Sequence, residues 1–298
     1  MHTYAGIGVS VLLRNWTLGD NGDTTFATAA EEQLDYLLNV APRAPNGAIS
    51  QRDDMAQLWA DFVYMAPPFI AYYGALEDEN CQTLLQTAYD QVRLYREVLY
   101  DADVGLWRHI ALGDGTDPTH WATGNAWAAA GMLRVLAAIQ RSSVQSQMTS
   151  QQNDLQQWIG EILDAAWSFQ VSVVSFAVLE QCNNTESPCA RPHRCTEQQA
   201  NGTLLNYIDQ PDSFADSAST ALMAASTFRF ASITNDNTNI PAAGLALQLV
   251  QDSIDDQGWL LNTVDPLSFS TPSAPGQHSP EGQSFVLLLE AAVTDWST

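Results

Sequence analysis

Residues 57–69 read QLWADFVYMAPPF, with one charged side chain, Asp61, among Trp, Phe, Val, Tyr and Met. A run of this kind predicts a buried helix, in which a carboxylate without a task would be costly. Asp54 lies seven residues earlier, and seven residues are two helical turns or about 10.5 Å of rise, so both aspartates would share one face of one helix. Two interpretations of Asp61 stay open: a helix cap or buried ion pair, and a proton donor.

Apolar stripes with helical spacing recur on both sides of this stretch, at i, i+3, i+4 and i+7. They run over residues 34–41, 85–99, 132–139, 155–163, 218–228 and 285–292, and one more helix has Pro241 in its first turn and Gly258 as its stop. Strand alternation is clear only in VSVVSFAVL, residues 171–179. We therefore predict an all-α chain of nine or ten helices in a single domain, 1–298, with an irregular insertion at about 171–199.

The chain is strongly acidic, with 34 acidic side chains against 11 basic ones and a formal net charge of −23. This charge would repel phosphate backbones and anionic lipid, so it disfavours nucleic-acid and membrane-surface partners. No apolar run reaches the ~18 residues that a membrane span needs. A full hydrophobic core is possible, because 46% of the 298 residues are hydrophobic.

Two features of the sequence bear on cellular location. The start, MHTYAGIGVSVLLRNW, has no recognisable signal peptide, whereas three glycosylation triplets, at Asn15, Asn183 and Asn201, lean towards export. Three of the four cysteines lie in the insertion at about 171–199, at a spacing too loose for a zinc site, so a disulfide there is the better interpretation.

The aromatic residues give Asp61 a chemical context. A carboxylate packed against Trp59, Tyr64 and Met65 would be poorly solvated, which favours its protonated form near neutral pH, as a general acid requires. Several tryptophans fall beside polar loops, where flat rings next to hydrogen-bonding groups are typical of a sugar site: Trp59, Trp107, Trp121 and Trp127. His109 and His120 do not form a metal-ligand set.

Four motifs together resemble a known family. LWADFVYMAPPFIAYYG, GLWRH, WATGNAWAAAGM and SPEGQSFVLLLEAA, in that order, resemble the unsaturated rhamnogalacturonyl hydrolases of glycoside hydrolase family 105 and the related unsaturated glucuronyl hydrolases of family 88. The resemblance runs from about Phe26 to the C-terminus, except for residues 171–199. It implies an (α/α)6 toroid of six helical hairpins. Because the stretch before Phe26 is too short for the opening hairpins, we expect a toroid that is incomplete at its N-terminus.

The resemblance also implies a reaction. Members of these families remove a 4,5-unsaturated uronic acid from the non-reducing end of acidic oligosaccharides, such as those derived from pectin, by hydrating the C4=C5 double bond. An aspartic acid protonates C4 and then takes a proton from the water that adds at C5. The hemiketal that results opens and releases the sugar without a metal or cofactor. The family further implies an extracellular protein, and we expect a monomer.

Carried over to this sequence, the family's W-x-D motif implies Asp61 as the acid/base and Trp59 as a stacking wall. Met65 would line the same pocket, and His109 would contact the substrate. The family's W-x-R-G-N-x-W motif implies three further substrate contacts: Trp121, Asn125 and Trp127.

The chain departs from the family pattern at two points. Thr123 stands where bacterial members often have the arginine that pairs with the uronate carboxylate, and Arg52 or Arg108 would have to replace it. A second, earlier aspartate of the family has no match before the W-x-D motif. Two alternatives therefore stay open beside the hydrolase: a non-catalytic sugar-binding protein, and an inverting glycosidase with two carboxylates roughly 6.5–9.5 Å apart.

Overall fold

A computed structural model of the chain describes residues 4–19, 22–77, 79–170, 202–265 and 267–298. These residues belong to two compact units. The first unit comprises Met1–His120 and Trp127–Ile162, and the second comprises Trp121–Ala126 and Leu163–Thr298. The predicted insertion at about 171–199 and the predicted strand at 171–179 lie outside the described residues. The prediction of a single domain over 1–298 stays a prediction.

The described residues are mainly helical, as predicted. Their α-helices are α1 Gly8–Leu18, α2 Thr25–Asp35, α3 Phe62–Leu76, α4 Cys81–Leu99, α5 Ala122–Arg141, α6 Thr149–Ser168, α7 Ser217–Thr234, α8 Ile240–Asp252 and α9 Pro280–Trp296. A π-helical turn, Tyr36–Val40, continues α2, and 3-10 turns cover Tyr4–Ile7 and Gln145–Gln147. The strands are β1 Leu58–Trp59, β2 Tyr100–Asp101, β3 Leu106–Trp107 and β4 Ile110–Ala111, each two residues long.

The stretch that precedes α3 is not helical, so the prediction that Asp54 and Asp61 share a helix face is wrong. β1 pairs antiparallel with β4, with Trp59 opposite Ile110, and this pairing holds the backbone extended before α3 begins at Phe62. Asp54 lies in the irregular segment before β1. Local apolar composition favoured a helix here, but the ladder bonds to β4 come from a segment about fifty residues away, which periodicity cannot reveal.

Helix α3 is the core of the first unit. Its side chains Phe62, Val63, Phe69 and Ile70 are fully buried. The Phe62 ring stacks on Tyr95 of α4, with ring centroids 5.0 Å apart. Because the apolar residues of α3 surround the helix rather than forming one stripe, its start is fixed in a solid core, and so is Asp61 beside it.

Tight turns follow the helices and return the chain to the next helix. Each turn closes with an antiparallel pair and carries a glycine with positive φ, a conformation that suits glycine. The pairs are Arg43 with Ile49, β2 with β3, and Ile254 with Leu260, and the glycines are Gly47, Gly105 and Gly258. Gly258 therefore belongs to such a turn and not to the end of α8, which stops at Asp252.

The second unit is built on α7, which is buried along most of its length. Asp216 caps α7: its carboxylate accepts bonds from the backbone N–H groups of Ala218 at 3.1 Å and Ser219 at 3.0 Å. It also accepts a bond of 2.8 Å from Val264 N, which ties the loop before α9 to the start of α7. Among the helices that the structure describes, none is long and apolar enough to cross a membrane.

Candidate active site

Asp61 occupies the N-cap position of α3 but does not act as a cap. Its backbone is already helical, with φ −56° and ψ −35°, and its side chain makes no capping bond. The side chain is 15% exposed, and its Oδ2 atom is buried without a hydrogen bond from the residues that the structure describes. Buried carboxylate oxygens are normally bonded. The capping interpretation of Asp61 is therefore wrong, and one of its oxygens is not held by a hydrogen bond from the described residues.

His109 is the side chain that faces this oxygen. It is fully buried, and its Nε2 atom lies 3.5 Å from Asp61 Oδ2. Its Nδ1 atom lies 2.9 Å from Asp117 Oδ2. The backbone fixes the two segments together, because Ala60 N donates a bond of 2.9 Å to the carbonyl of His109. The structure thus places one imidazole between two carboxylates.

Asp117 is held by a tight hairpin. Ile110 and Asp117 exchange two backbone hydrogen bonds, of 2.8 and 3.0 Å, across a turn that contains Gly113 and Gly115. Both glycines have positive φ, of 65° and 74°. The second carboxylate oxygen of Asp117 accepts bonds from Thr119 N at 3.0 Å and Thr119 Oγ1 at 2.6 Å. Its orientation towards His109 is therefore fixed on both oxygens.

This arrangement fixes the charges of the cluster. Burial by itself would lower the pKa of His109, but the carboxylates of Asp117 and Asp61 outweigh it and raise that pKa to about 9. Burial would raise the pKa of Asp117, but the bonds from His109 and Thr119 outweigh it and lower that pKa below its usual range. At neutral pH the cluster contains an imidazolium bonded to an ionised Asp117.

Trp59 lies against the same imidazole. The two rings meet edge to face, with centroids 5.6 Å apart and an interplanar angle of 78°. Trp59 Nε1 donates a bond of 2.7 Å to Gln57 Oε1, and Gln57 Nε2 donates one of 2.7 Å to the carbonyl of Asp114. Gln57 therefore fixes the indole to the hairpin that carries Asp117. The structure brings the predicted residues Trp59, Asp61 and His109 together.

Trp127 lies elsewhere in the first unit, on α5. Its ring contacts Tyr64 of α3, with centroids 4.3 Å apart. The guanidinium of Arg134 lies over the same Tyr64 ring at 4.6 Å and over Tyr72 at 5.4 Å. Met65 is half-buried, and a Cβ added to Gly6 would lie 3.0 Å from its sulfur atom. The predicted substrate contacts of Met65 and Trp127 stay predictions.

Trp121 and Asn125 belong to the second unit and are both buried. Trp121 Nε1 donates a bond of 2.9 Å to Asn206 Oδ1, and Asn125 Nδ2 donates one of 3.0 Å to the carbonyl of Trp121. Thr123, at the position of the family's arginine, is also buried, and its Oγ1 lies 3.4 Å from Asp216 Oδ2. These contacts are hydrogen bonds within the second unit, and the substrate roles of Trp121 and Asn125 stay predictions.

Both arginines predicted as replacement partners of the uronate carboxylate already form ion pairs with aspartates. Arg52 makes a bidentate pair with Asp54, with bonds of 2.8 and 2.6 Å. Arg108 pairs with Asp101, which also lies 3.6 Å from His120 Nε2. Both guanidinium groups are already neutralised, so neither is a good replacement for the arginine that Thr123 displaces.

Sequence reasoning missed Asp117 and Gln57. The signal for Asp117 was the turn GDG, residues 113–115, which predicts a hairpin and so pairs the residues on its two sides. No comparable signal exists for Gln57, whose role comes from contacts across the chain. No group of three or more His, Cys, Asp or Glu side chains suited to a metal occurs among the residues described.

One family of known proteins matches this sequence over more than half of its length. The sequence model of Glycosyl Hydrolase Family 88 matches residues 7–168, a range that includes every residue of the cluster around His109. The C-terminal motif SPEGQSFVLLLEAA lies outside this range. No curated protein sequence shows significant similarity to the chain.

Solved structures show the fold. A possible member of the GH105 family from Klebsiella pneumoniae subsp. pneumoniae MGH 78578 aligns with a TM-score of 0.76 and 18% identity, over 100% of this chain and 72% of its own. The unsaturated glucuronyl hydrolase of Bacillus sp. GL1 aligns with a TM-score of 0.61 and 15% identity, over 98% and 74%. A D-mannose isomerase aligns with a TM-score of 0.62 and 10% identity, over 99% and 71%. The prediction of an all-α fold of the (α/α)6 class is confirmed, and the isomerase shows that this fold alone does not fix the reaction.

Proposed function

The chain belongs to glycosyl hydrolase family 88 and is a glycoside hydrolase, and we propose that it removes a 4,5-unsaturated uronic acid from the non-reducing end of acidic oligosaccharides by hydrating the C4=C5 double bond. The sequence model confirms the resemblance to family 88, and the family 105 structure shares the fold. The observation that carries the proposal is the buried Asp61 Oδ2 atom, which faces His109 and is not used in capping. The Bacillus protein of the same fold is described as an unsaturated glucuronyl hydrolase, which supports the substrate class.

One carboxyl group can perform both proton transfers of this reaction. Protonated Asp61 gives its proton to C4, and the positive charge that develops at C5 is shared with the ring oxygen. Water adds to C5 and loses a proton to the Asp61 carboxylate, which restores the acid. The product of the addition is a hemiketal at C5, which opens and releases the sugar, so that one water is consumed and no proton is gained or lost.

The aromatic side chains supply a surface for the sugar. Trp59 is half-buried, and Gln57 and the edge of His109 hold its ring in place. A rigid indole beside a proton donor can stack on one face of a pyranose ring and fix the distance between C4 and Asp61. The proposed role of Trp59 is therefore to position the sugar for the transfer.

Arg134 is the proposed partner of the uronate carboxylate. It lies over the rings of Tyr64 and Tyr72 and makes no ion pair with a carboxylate among the described residues. In a chain of net charge −23, an arginine stacked on aromatic rings without such a partner suits an anionic ligand. Tyr64 also contacts Trp127, one of the predicted sugar contacts.

An inverting glycosidase is less well supported. It needs a second carboxylate that can activate water. Asp117 is the second carboxylate of the cluster, but one of its oxygens is bonded to His109 and the other to Thr119. Asp117 is therefore not available as a base for water, whereas hydration requires only Asp61.

The test is a release assay with an unsaturated uronyl disaccharide, followed by the loss of ultraviolet absorbance of the conjugated uronate. Asp61→Asn should lower the rate about 10²–10⁴-fold, the usual contribution of a general acid/base. Asp103→Asn, the same change at an exposed turn position, is the matched control and should retain full activity. Full activity of Asp61→Asn would exclude Asp61, and binding of the disaccharide without turnover by the unmodified chain would establish a non-catalytic sugar-binding protein instead.

A further inference from the structure

We infer that Asp117 is a positioning residue for His109, and that His109 holds the proton that Asp61 delivers to C4 of the substrate. This inference rests on the proposed function. It assigns the His109–Asp117 pair, rather than bulk water, as the group that protonates Asp61 before each turnover.

The geometry fixes the role of each imidazole nitrogen. Nδ1 lies 2.9 Å from Asp117 Oδ2, so this nitrogen carries a proton that is donated to Asp117. Nε2 lies 3.5 Å from Asp61 Oδ2, with no hydrogen bond between the two atoms. The imidazole is fully buried, so it does not exchange its proton with open solvent through its own surface. A proton on Nε2 therefore has the carboxyl group of Asp61 within reach.

The hairpin makes this orientation rigid. Thr119 binds the other oxygen of Asp117 through its backbone N–H and its hydroxyl. His109 N donates a bond of 2.9 Å to the carbonyl of Thr119, so the backbone of His109 is also bonded to the segment that carries Asp117. Such support holds a side chain in one rotamer, as a proton transfer requires.

The charges around His109 favour an imidazolium. Asp61, at the start of α3, and Asp117, in the hairpin, are the titratable groups that face it. Tyr95 of α4 is fully buried, donates a bond of 2.6 Å to the carbonyl of Ile49 and stays neutral, because burial and then the charge of Asp61 raise its pKa. On the flanking hairpin, Arg108 pairs with Asp101. The pKa of His109, raised to about 9, agrees with a stored proton at neutral pH.

The proton balance of the cycle follows from this placement. In the resting enzyme Nε2 of His109 carries the proton, and the ring lies between the carboxyl groups of Asp61 and Asp117. When the anionic sugar enters, the proton on Nε2 moves to Asp61, and the new carboxylic acid protonates C4. Water adds to C5, and its proton returns to Asp61 and then to Nε2. Asp117 stays ionised throughout, and the net reaction is the addition of one water.

The experiment is a pH profile of kcat/KM for the full chain and for Asp117→Asn. The amide of asparagine has no negative charge, so it stabilises the imidazolium less than a carboxylate does. We therefore expect the alkaline limb of the profile to move down by one pH unit or more, about tenfold in the proton affinity of His109. In Asp117→Glu the alkaline limb should return part of the way to its original pH. In Asp103→Asn it should stay at its original pH. A uniform loss of kcat/KM in Asp117→Asn at every pH, with the alkaline limb at the same pH as in the unmodified chain, would overturn the inference and leave Asp117 a structural role only.

A titration of the His109 ring by NMR gives a readout that does not depend on turnover. Comparison with His109→Gln identifies the signal among the five histidines of the chain. We expect titration well above the usual range of histidine in the unmodified chain and a fall in Asp117→Asn. An ordinary titration of His109 in the unmodified chain would overturn the inference even if the disaccharide is hydrated. A high titration without any turnover would instead contradict the proposed function.

Discussion

Gly131 of α5 lies directly against the carbonyl group of Val63 in α3, so close that an added Cβ would overlap the carbonyl oxygen. The carbonyl of Val63 is available for this approach because the residue four positions later is Pro67, which has no N–H to donate. The contact is two residues from Asp61, so it fixes the start of α3 from one side.

We therefore expect Gly131→Ala to destabilise the protein by about 1–3 kcal/mol or more, because the new methyl group must push α5 away from α3. Activity should fall as well, since the start of α3 carries Asp61. Chemical denaturation and the release assay measure the two effects. Gly244→Ala is the matched control, because Gly244 lies in α8 with nothing within 4 Å of an added Cβ. This substitution should stabilise the protein slightly, by roughly 0.5–1 kcal/mol. Equal effects of the two substitutions would contradict the close contact.

The charge of His109 predicts how stability depends on pH. The pKa of His109 is raised from 6.5 to about 9 in the folded chain. The stabilisation that the charged ring gives to the folded state is therefore complete below pH 6.5 and is lost as the pH rises through about 9. The loss should be on the order of 3 kcal/mol in the free energy of unfolding, at about 1.4 kcal/mol per pH unit. Urea denaturation between about pH 6 and about pH 10 measures this slope.

Two variants test the origin of that slope. His109→Gln should remove most of it, and Asp117→Asn should reduce it, because the carboxylate bonded to Nδ1 is lost. His278→Gln, a histidine of the second unit, should leave the slope unchanged. An unaltered slope in His109→Gln would show that other groups produce it.

Gln57 and Trp59 should be coupled energetically. Gln57→Met leaves the indole N–H and the carbonyl of Asp114 without the partner that each has in the structure, and we expect a loss of about 1–3 kcal/mol of stability. Trp59→Phe removes the N–H but keeps an aromatic ring. A double-mutant cycle of these changes should give a coupling of about 1 kcal/mol. Strict additivity would mean that Gln57 does not hold the ring.

Arg134 should determine the affinity for acidic substrates. Arg134→Gln should raise KM about tenfold or more with a smaller change in kcat, because a charged hydrogen bond contributes about 1.5–3 kcal/mol. Arg52→Gln serves as the comparison, because Arg52 is paired with Asp54 and should have little effect. Similar KM values for the two variants would show that Arg134 does not bind the substrate.

Local features of the sequence predicted much of the fold. Helical stripes such as Leu85 to Leu99 became helices because the apolar side chains of an amphipathic helix must be buried, and spacing records that requirement directly. The motif around Asp61 was informative for a different reason: its residue types match a reaction, which the family assignment supports. Its conformation was not predictable in the same way, because β1 forms through bonds with β4.

The sequence by itself therefore determined the all-helical class, the family and the choice of Asp61, His109 and Trp59, since these depend on composition, spacing and motif order. Only the tertiary structure decided that Asp61 leaves an oxygen uncapped, that His109 lies between Asp61 and Asp117, and that Arg52 and Arg108 are already paired. The physical reason is distance along the chain: a hydrogen bond or ion pair between remote residues depends on how the backbone turns. A turn such as Gly113 to Gly115 predicts a hairpin, but it does not state which side chains the hairpin brings together.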